Sequence, residues 1–274
     1  MFYPASIHTH TEFCDGRDTM ETMAEAAAEA GFLTLGFSPH SPLPYGNDWA
    51  MKEDDYPAFF AKIVALKERY AGKMEVFAGL EWDSQTESLP EGLDYVIGAV
   101  HSLVKKGECF AVDYRKDLLL SVRDRLYGGD FLKLCAEYSD EVVRSALRPR
   151  VDIVAHLDLV TKYNKDGDIL DENDPAYLAL AQNCIDRILD ARPDVFIEIN
   201  MGVMMRAGKA CPYPAPALLD HLVKNGARLV LTCDCHRAKL LGGGYGKARE
   251  LLLSRPSAQL YIFAHGGFER YKIS

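Results

Sequence analysis

At 274 residues, with 48% apolar and 26% charged residues, the chain has ordinary globular composition and enough length for one full hydrophobic core. A net charge of −9 excludes a general nucleic-acid-binding face, which needs a basic patch, and no apolar run approaches the roughly 18 residues of a membrane span. The opening MFYPASIHTH lacks the basic and apolar regions of a signal peptide, and the seven cysteines contain no CxxC pair, so reduced thiols and a cytoplasmic location are expected.

The elements alternate. Ala5–Thr9 reads as a strand, and Met20–Ala30 as a helix closed by Gly31. Phe32–Phe37 is a second buried strand, running into Ser38-Pro39-His40, and Asp55–Ala71 is a charged amphipathic helix stopped at Gly72. Met74–Leu80 and Tyr95–Val100 read as strands that deliver Glu81 and His101. Residues 102–150 then break the rhythm with a hairpin turning at Lys106-Gly107 and two helices, and such an excursion at a barrel mouth predicts a lid or pocket wall. Val151–Ala155 delivers His156, Asp174–Ala191 is helical, and Val195–Asn200 is a sixth strand. Leu218–Asn225 is a helix capped by Gly226, Arg228–Thr232 a seventh strand, and Leu260–Phe263 a final strand expected at the base. With no internal repeat or linker, residues 1–274 read as one domain.

The informative residues sit where these strands end. His8, His10, Asp15, His40, Glu81, His101, His156, Asp234 and His236 are nine imidazole or carboxylate groups, most of them just after a short apolar run. In a barrel of parallel strands the C-terminal strand ends share one mouth, so the placement predicts that these groups meet. His8 and His10 are two apart on a strand end and share a face, as do Asp234 and His236. One ion takes about four to six ligands, so nine donors predict two to three divalent ions. Zinc, manganese and iron all suit such a donor set.

The ordered segments HTHTEFCDG, SPH, GLEWD, IGAVH, VAHLD and TCDCH resemble, from end to end, the polymerase-and-histidinol-phosphatase (PHP) superfamily. The resemblance implies a distorted (β/α)7 barrel, an α/β fold, with a trinuclear metal site at the C-terminal strand ends. It implies that His8, His10, Glu81 and Asp234 surround one metal, that Glu81 bridges to a second held by His101 and His156, and that Asp15, His40 and His236 hold a third. Within the superfamily the chain is most similar to the stand-alone histidinol-phosphate phosphatases, through DYVIGAVH, KKGECF, YGGD, EYSD and VFIEINMGVMMR. That branch implies phosphate contacts from Arg206 and Lys162, and hydrolysis of L-histidinol phosphate in histidine biosynthesis, a small phosphorylated substrate. Another phosphoesterase of the same metal type, acting on a nucleotide or sugar phosphate, is the first alternative. A non-catalytic module with a relict site is the second, and the intact donor set opposes it. Cys14, Ala99, Ser102, Cys233 and Cys235 depart from common family residues, and Ser102 bears on the pocket directly after His101.

Phosphomonoester hydrolysis must shield the phosphoryl oxygens, generate a nucleophile and stabilise an alkoxide, tasks that paired metals perform. Glu81 is then the bridging carboxylate, Asp234 orients the nucleophile, and either His236 or a metal-held water protonates the alkoxide. Competing structural roles remain at several positions. Asp15 and Asp18 are possible helix caps, His156 could pair with Asp158, and Glu198 with Asn200 could either brace the site or read the substrate. Cys233 and Cys235 alternate away from the Asp234 side, His221 and His265 fit no strand-end slot, and Trp82 is expected on the strand face opposite Glu81. LGGGYGKA has Leu241 where a P-loop needs glycine and Ala248 where it needs Ser or Thr, so it reads as a loop entering a helix.

Overall fold

The computed structural model describes residues 3–44, 48–164 and 167–273. The first units are β1 (Ala5–Ser6), α1 (Met20–Glu29), β2 (Thr34–Phe37), α2 (Tyr56–Arg69), β3 (Glu75–Asp83) and β4 (Tyr95–Ala99). A hairpin, β5 (Ser102–Lys105) and β6 (Glu108–Ala111), precedes α3 (Lys116–Tyr127) and α4 (Phe131–Ala146). There follow β7 (Ile153–Val154), α5 (Pro175–Ala191), β8 (Phe196–Asn200), α6 (Gly202–Arg206), α7 (Pro216–Lys224) and β9 (Arg228–Thr232). The chain ends in α8 (Tyr245–Leu253), β10 (Gln259–Ala264) and β11 (Gly267–Tyr271). Local chemistry sets several of these boundaries. The Thr19 hydroxyl caps α1, the Asp130 and Asp174 carboxylates cap α4 and α5, and Gly31 and Gly72 take the left-handed conformation just beyond their helices.

Strands β1, β2, β3, β4, β7, β8 and β9 pair in parallel in that order. The ring closes at the mouth, where Thr9 bridges Cys235 in parallel, His10 N donates to Cys235 O at 2.8 Å, and Cys235 N donates to His8 O at 3.0 Å. Lower down, β9 pairs with β10 instead, and β10 turns back as β11. A distorted (β/α)7 barrel results, parted at its base by an added hairpin. Phe263 and Phe268 of that hairpin fill the base, with ring centroids 4.8 Å from Phe77 and 3.9 Å from Phe196 respectively. The final strand therefore does lie at the base, and it also widens the sheet.

The excursion over residues 102–150 is two things rather than one lid. α4 is amphipathic and packs in the outer layer against α5, β4 and β7: Cys184 Sγ donates to Ser139 O, and Ser145 lies against Gly98. Only the β5–β6 hairpin and the residues just after it reach the mouth.

Above the phenylalanine plug the interior is closed by Tyr95, whose hydroxyl donates to Ile7 O at 2.5 Å. Space for its ring exists because β2 and β3 present glycines to it. A Cβ at Gly36 would lie 2.2 Å from the Tyr95 hydroxyl oxygen, and one at Gly79 would lie 2.3 Å from its ring. Gly79→Ala is therefore expected to destabilise the barrel by about 1–3 kcal/mol through overpacking, and urea denaturation should show a lowered midpoint with an unchanged slope. An unchanged midpoint would mean that Tyr95 does not need this space.

Candidate metal and active site

Each donor owes its position to a strand end. Strand alternation turns His8 and His10 to one side, and Thr9 between them is tied to β2 by its N–H, which donates to Ser38 Oγ at 3.1 Å. The following loop folds back so tightly that a Cβ at Gly16 would lie 2.3 Å from Thr11 N, and this turn points Asp15 into the mouth. His40 bridges Glu81 in register, His101 and His156 follow β4 and β7, and Asp234 and His236 follow β9. Asp234 has φ of 46°, a left-handed conformation that aspartate tolerates better than most residues.

Glu81 lies at the centre and is 1% exposed. Its Oε1 is 2.9 Å from His156 Nε2 and 3.3 Å from His101 Nε2. Its Oε2 is 2.8 Å from His40 Nδ1, 3.3 Å from His8 Nε2 and 3.4 Å from His10 Nε2. Asp234 Oδ1 faces His10 Nε2 at 3.3 Å and His236 Nδ1 at 3.5 Å, while Asp15 Oδ1 faces His236 Nε2 at 3.1 Å and His40 Nε2 at 3.5 Å. All nine donors predicted from the sequence thus meet. Their ligand atoms cluster as His10, Asp15, His40 and His236, as His8, His10 and Glu81, and as His40, Glu81 and His101.

Burial opposes ionisation throughout this cluster, and the neighbours decide each outcome. Burial alone would raise Glu81, yet His40, His8 and His101 hold it well below the usual carboxylate range. Burial alone would lower His8, yet Glu198, Glu81 and Asp234 raise it well above the ordinary imidazole value. His10 is lowered by burial and by the adjacent His236 and His40. The carboxylate field that lifts His8 is the field a divalent cation would meet. Ligand fit is testable from unspent valence: His8 Nε2, His10 Nε2, His40 Nδ1 and Glu81 Oε2 are buried without hydrogen-bond partners, and all four face the cluster. Such orphaned donors cost free energy unless coordinated. A divalent metal fits them.

The surrounding polar groups orient the donors. Glu198 accepts from His8 Nδ1 at 2.5 Å, His156 N at 2.8 Å, Thr232 Oγ1 at 2.6 Å and Asn200 Nδ2 at 3.0 Å. Asn200 also reaches Asp234 Oδ2 at 3.1 Å and accepts from Gly202 N, so Glu198 and Asn200 brace the cluster rather than face a substrate. Asp83 plays the same part for His101, with its Oδ2 3.1 Å from Nδ1. It stands two residues beyond Glu81 on the same strand face, so alternation would have found it.

Arg206 reaches back from α6, with Nη2 2.6 Å from Asp234 Oδ2 and Nη1 2.9 Å from His236 Nε2. Lys162 Nζ is 3.0 Å from Asp113 Oδ2, and Lys162, Asp113 and Arg206 line the same cavity of about 270 Å³ as Asp15, His40 and His236. Sequence reasoning missed Asp113, which the β5–β6 hairpin brings beside His101 through a bond from Val112 N to His101 O at 2.9 Å. It also missed Trp49, whose ring stands edge-on to His40 at 4.8 Å.

The competing roles resolve in the same way. Thr19, not Asp18, caps α1, and Asp158 accepts from Ala215 N rather than from His156. Cys233 Sγ accepts from Gly242 N and Cys235 Sγ donates to Arg237 O, so both thiols point away from the donors. Cys14 does touch the cluster, with Sγ 3.3 Å from His10 Nδ1. His221 pairs with Asp186 and His265 with Glu75, both outside the mouth. Trp82 lies under the Arg148 guanidinium, and Gly242–Gly244 leads into α8 as a plain loop-to-helix connection.

Comparison with known proteins gives three agreeing results. A family model described as "PHP domain" matches residues 6–202. A Deinococcus radiodurans protein described as "Probable histidinol-phosphatase" is 31% identical over 88% of this chain and 89% of its own, and a Bacillus subtilis histidinol-phosphatase is 24% identical over 90% and 97%. The crystal structure of a Lactococcus lactis histidinol phosphate phosphatase, complexed with zinc, L-histidinol and phosphate, superposes with a TM-score of 0.67 at 20% identity, covering 97% of this chain and 98% of that one. No helix among the described residues is long and apolar enough to cross a membrane.

Because Glu81 faces five imidazoles whereas the Cys233 and Cys235 thiols point away from the donors, Glu81→Gln is expected to lose bound metal while Cys233→Ser with Cys235→Ser retains it. Elemental analysis of the purified variants checks this, and metal loss confined to the cysteine variant would overturn the donor assignment.

Proposed function

The chain belongs to the PHP domain family, and on that premise we propose that it is a divalent-metal-dependent phosphomonoesterase that cleaves L-histidinol phosphate to L-histidinol and phosphate. One observation carries the reading: nine metal-type donors form one cluster, and six of them line a single cavity together with two cationic side chains, Arg206 and Lys162. The names of its relatives, and the product pair bound in the Lactococcus lactis protein, support the substrate.

In this reading residues 1–274 act as one unit, with the β5–β6 hairpin as pocket wall. His8, His10, Glu81 and Asp234 would hold one ion, Glu81 with His101 and His156 a second, and Asp15, His40 and His236 a third. Bound divalent ions, whether zinc, manganese or iron, supply Lewis acidity to the phosphoryl oxygens and to water. The chain's own groups do the rest. Asp234, held by Asn200 and Arg206, presents Oδ1 toward the cluster as acceptor for the attacking water's proton. The Arg206 fork takes two phosphate oxygens and Lys162 takes a third as a point charge. Glu198, fully buried and already accepting four hydrogen bonds, keeps His8 and the backbone at His156 in place.

Phosphate release is the direct test. With metal-replete protein, L-histidinol phosphate is expected to be turned over with higher kcat/KM than any nucleotide or sugar monophosphate in a small panel, and elemental analysis of the same sample is expected to give two to three ions per chain. Preference for a nucleotide or sugar phosphate would reassign the substrate, and fewer than one ion in fully active protein would end the multinuclear reading.

Arg206→Ala is expected to raise KM and to lower kcat/KM by at least about tenfold, the worth of a charge-assisted hydrogen bond to phosphate. Steady-state kinetics alongside a melting curve separates this from loop bracing. A lowered melting temperature with normal kinetics would remove Arg206 from the phosphate site.

A further inference from the structure

Beside the donor cluster the cavity holds one ion pair whose two charges both face the space a substrate must enter. Lys162 Nζ sits 3.0 Å from Asp113 Oδ2 and 2.9 Å from Asp113 O. The Asp113 carbonyl also accepts from Tyr163 Oη at 2.6 Å, so the backbone at Asp113 is anchored from two sides while its carboxylate has Lys162 as its charged partner among the described residues. Burial raises the Asp113 carboxyl, but Lys162, His101 and His156 together hold it below the usual range, so it is an anion within the field of the donor histidines. Asp113 lines both the inner cavity with Arg206 and His236 and the outer cleft with Trp49 and Tyr114, and Lys162 lines both as well. The pair therefore stands where inner cavity and outer cleft meet.

A carboxylate is a poor choice for a site that only binds phosphate. Beside donors meant for an anion it repels the substrate's charge and ties up a cation that could meet it. Its presence makes sense if the substrate carries positive charge next to its phosphate. Resting on the substrate reading above, we propose that the Lys162–Asp113 ion pair opens on binding, Lys162 passing to the phosphate and Asp113 to the ammonium group on the carbon next to the ester-bearing one. One pair of opposite charges is exchanged for two. The cost of parting the native pair is offset only by a ligand that supplies both an anion and a cation at this spacing, so Asp113 selects amino-substituted phosphomonoesters over plain ones. A site built to hold a charged group discriminates strongly against an analogue that lacks it, because its own charge is then left unpaired.

The test compares two substrates on one preparation of metal-replete protein: L-histidinol phosphate and its des-amino analogue, 3-(imidazol-4-yl)propyl phosphate, which differ in the ammonium group alone. Wild-type protein is expected to favour the amine by at least about tenfold in kcat/KM, the scale of one charge-assisted hydrogen bond. In Asp113→Asn that ratio is expected to fall toward unity, and in Asp113→Glu to remain above it. Lys162→Met is expected to raise KM for both substrates and to leave a preference for the amine. Because the ratio is internal to each preparation, partial misfolding of a variant cancels. A wild-type preference that survives unchanged in Asp113→Asn would overturn the exchange while leaving the phosphatase reading intact. Failure of wild-type protein to hydrolyse L-histidinol phosphate, with other phosphomonoesters still cleaved, would remove the substrate reading and this inference with it.

Discussion

A single buried carboxylate organises this molecule. Glu81 is almost wholly removed from solvent, and five imidazoles from four strand ends are turned toward its two oxygens. An isolated carboxylate in such a place would take up a proton, but the surrounding rings hold it ionised. The rings in turn cannot all be satisfied by one carboxylate, which leaves nitrogen atoms that hydrogen bonding within the chain does not use. The charge and the unused lone pairs together call for cations. Most of the nearby polar structure follows from keeping those atoms aimed inward.

The scaffold serves that aim through a division of labour along each strand. The lower interior is packed by Phe77, Tyr95, Phe196, Phe263 and Phe268, and its tightness requires glycines at positions 36 and 79. Above that level the same strands carry histidine and carboxylate. Between the two levels Glu198, Asn200 and Thr232 form a hydrogen-bonded band that fixes ring orientation from below. A stiff aromatic base and a polar collar hold the donors in place.

Much of this was legible in the sequence because strand ends in a parallel barrel obey a simple rule. Short apolar runs ending in His40, Glu81, His101, His156 or Asp234 place those side chains at one mouth whatever the details between, and resemblance to a known family added the grouping. The supporting residues were less visible. Asp83 follows from alternation along β3, but Asp113 depends on how far the β5–β6 hairpin bends over His101, and Trp49 on a loop with no periodic pattern. α4 read as part of a lid because its place in the chain suggested an insertion, whereas its apolar face packs in the outer layer. Arg206 was found, yet its partner was not. A guanidinium spans several carboxylates, and only the tight passage of α6 past Cys233 and Asp234, where Gly202 has no room for a Cβ, selects Asp234 over Glu198.

The closing of the barrel between Thr9 and Cys235 also bears on when the cluster can exist. His8 and His10 leave the ribosome more than two hundred residues ahead of Asp234 and His236. Loop closure over most of the chain has to be met before the two ends of the donor set face each other, which marks this seam as a late, non-local step. A nascent chain therefore exposes a partial set of imidazoles until Asp234 and His236 emerge, and the full set assembles only when β9 docks beside β1. Cations at this mouth would in that sense act as a stitch, drawing together strands far apart in the sequence.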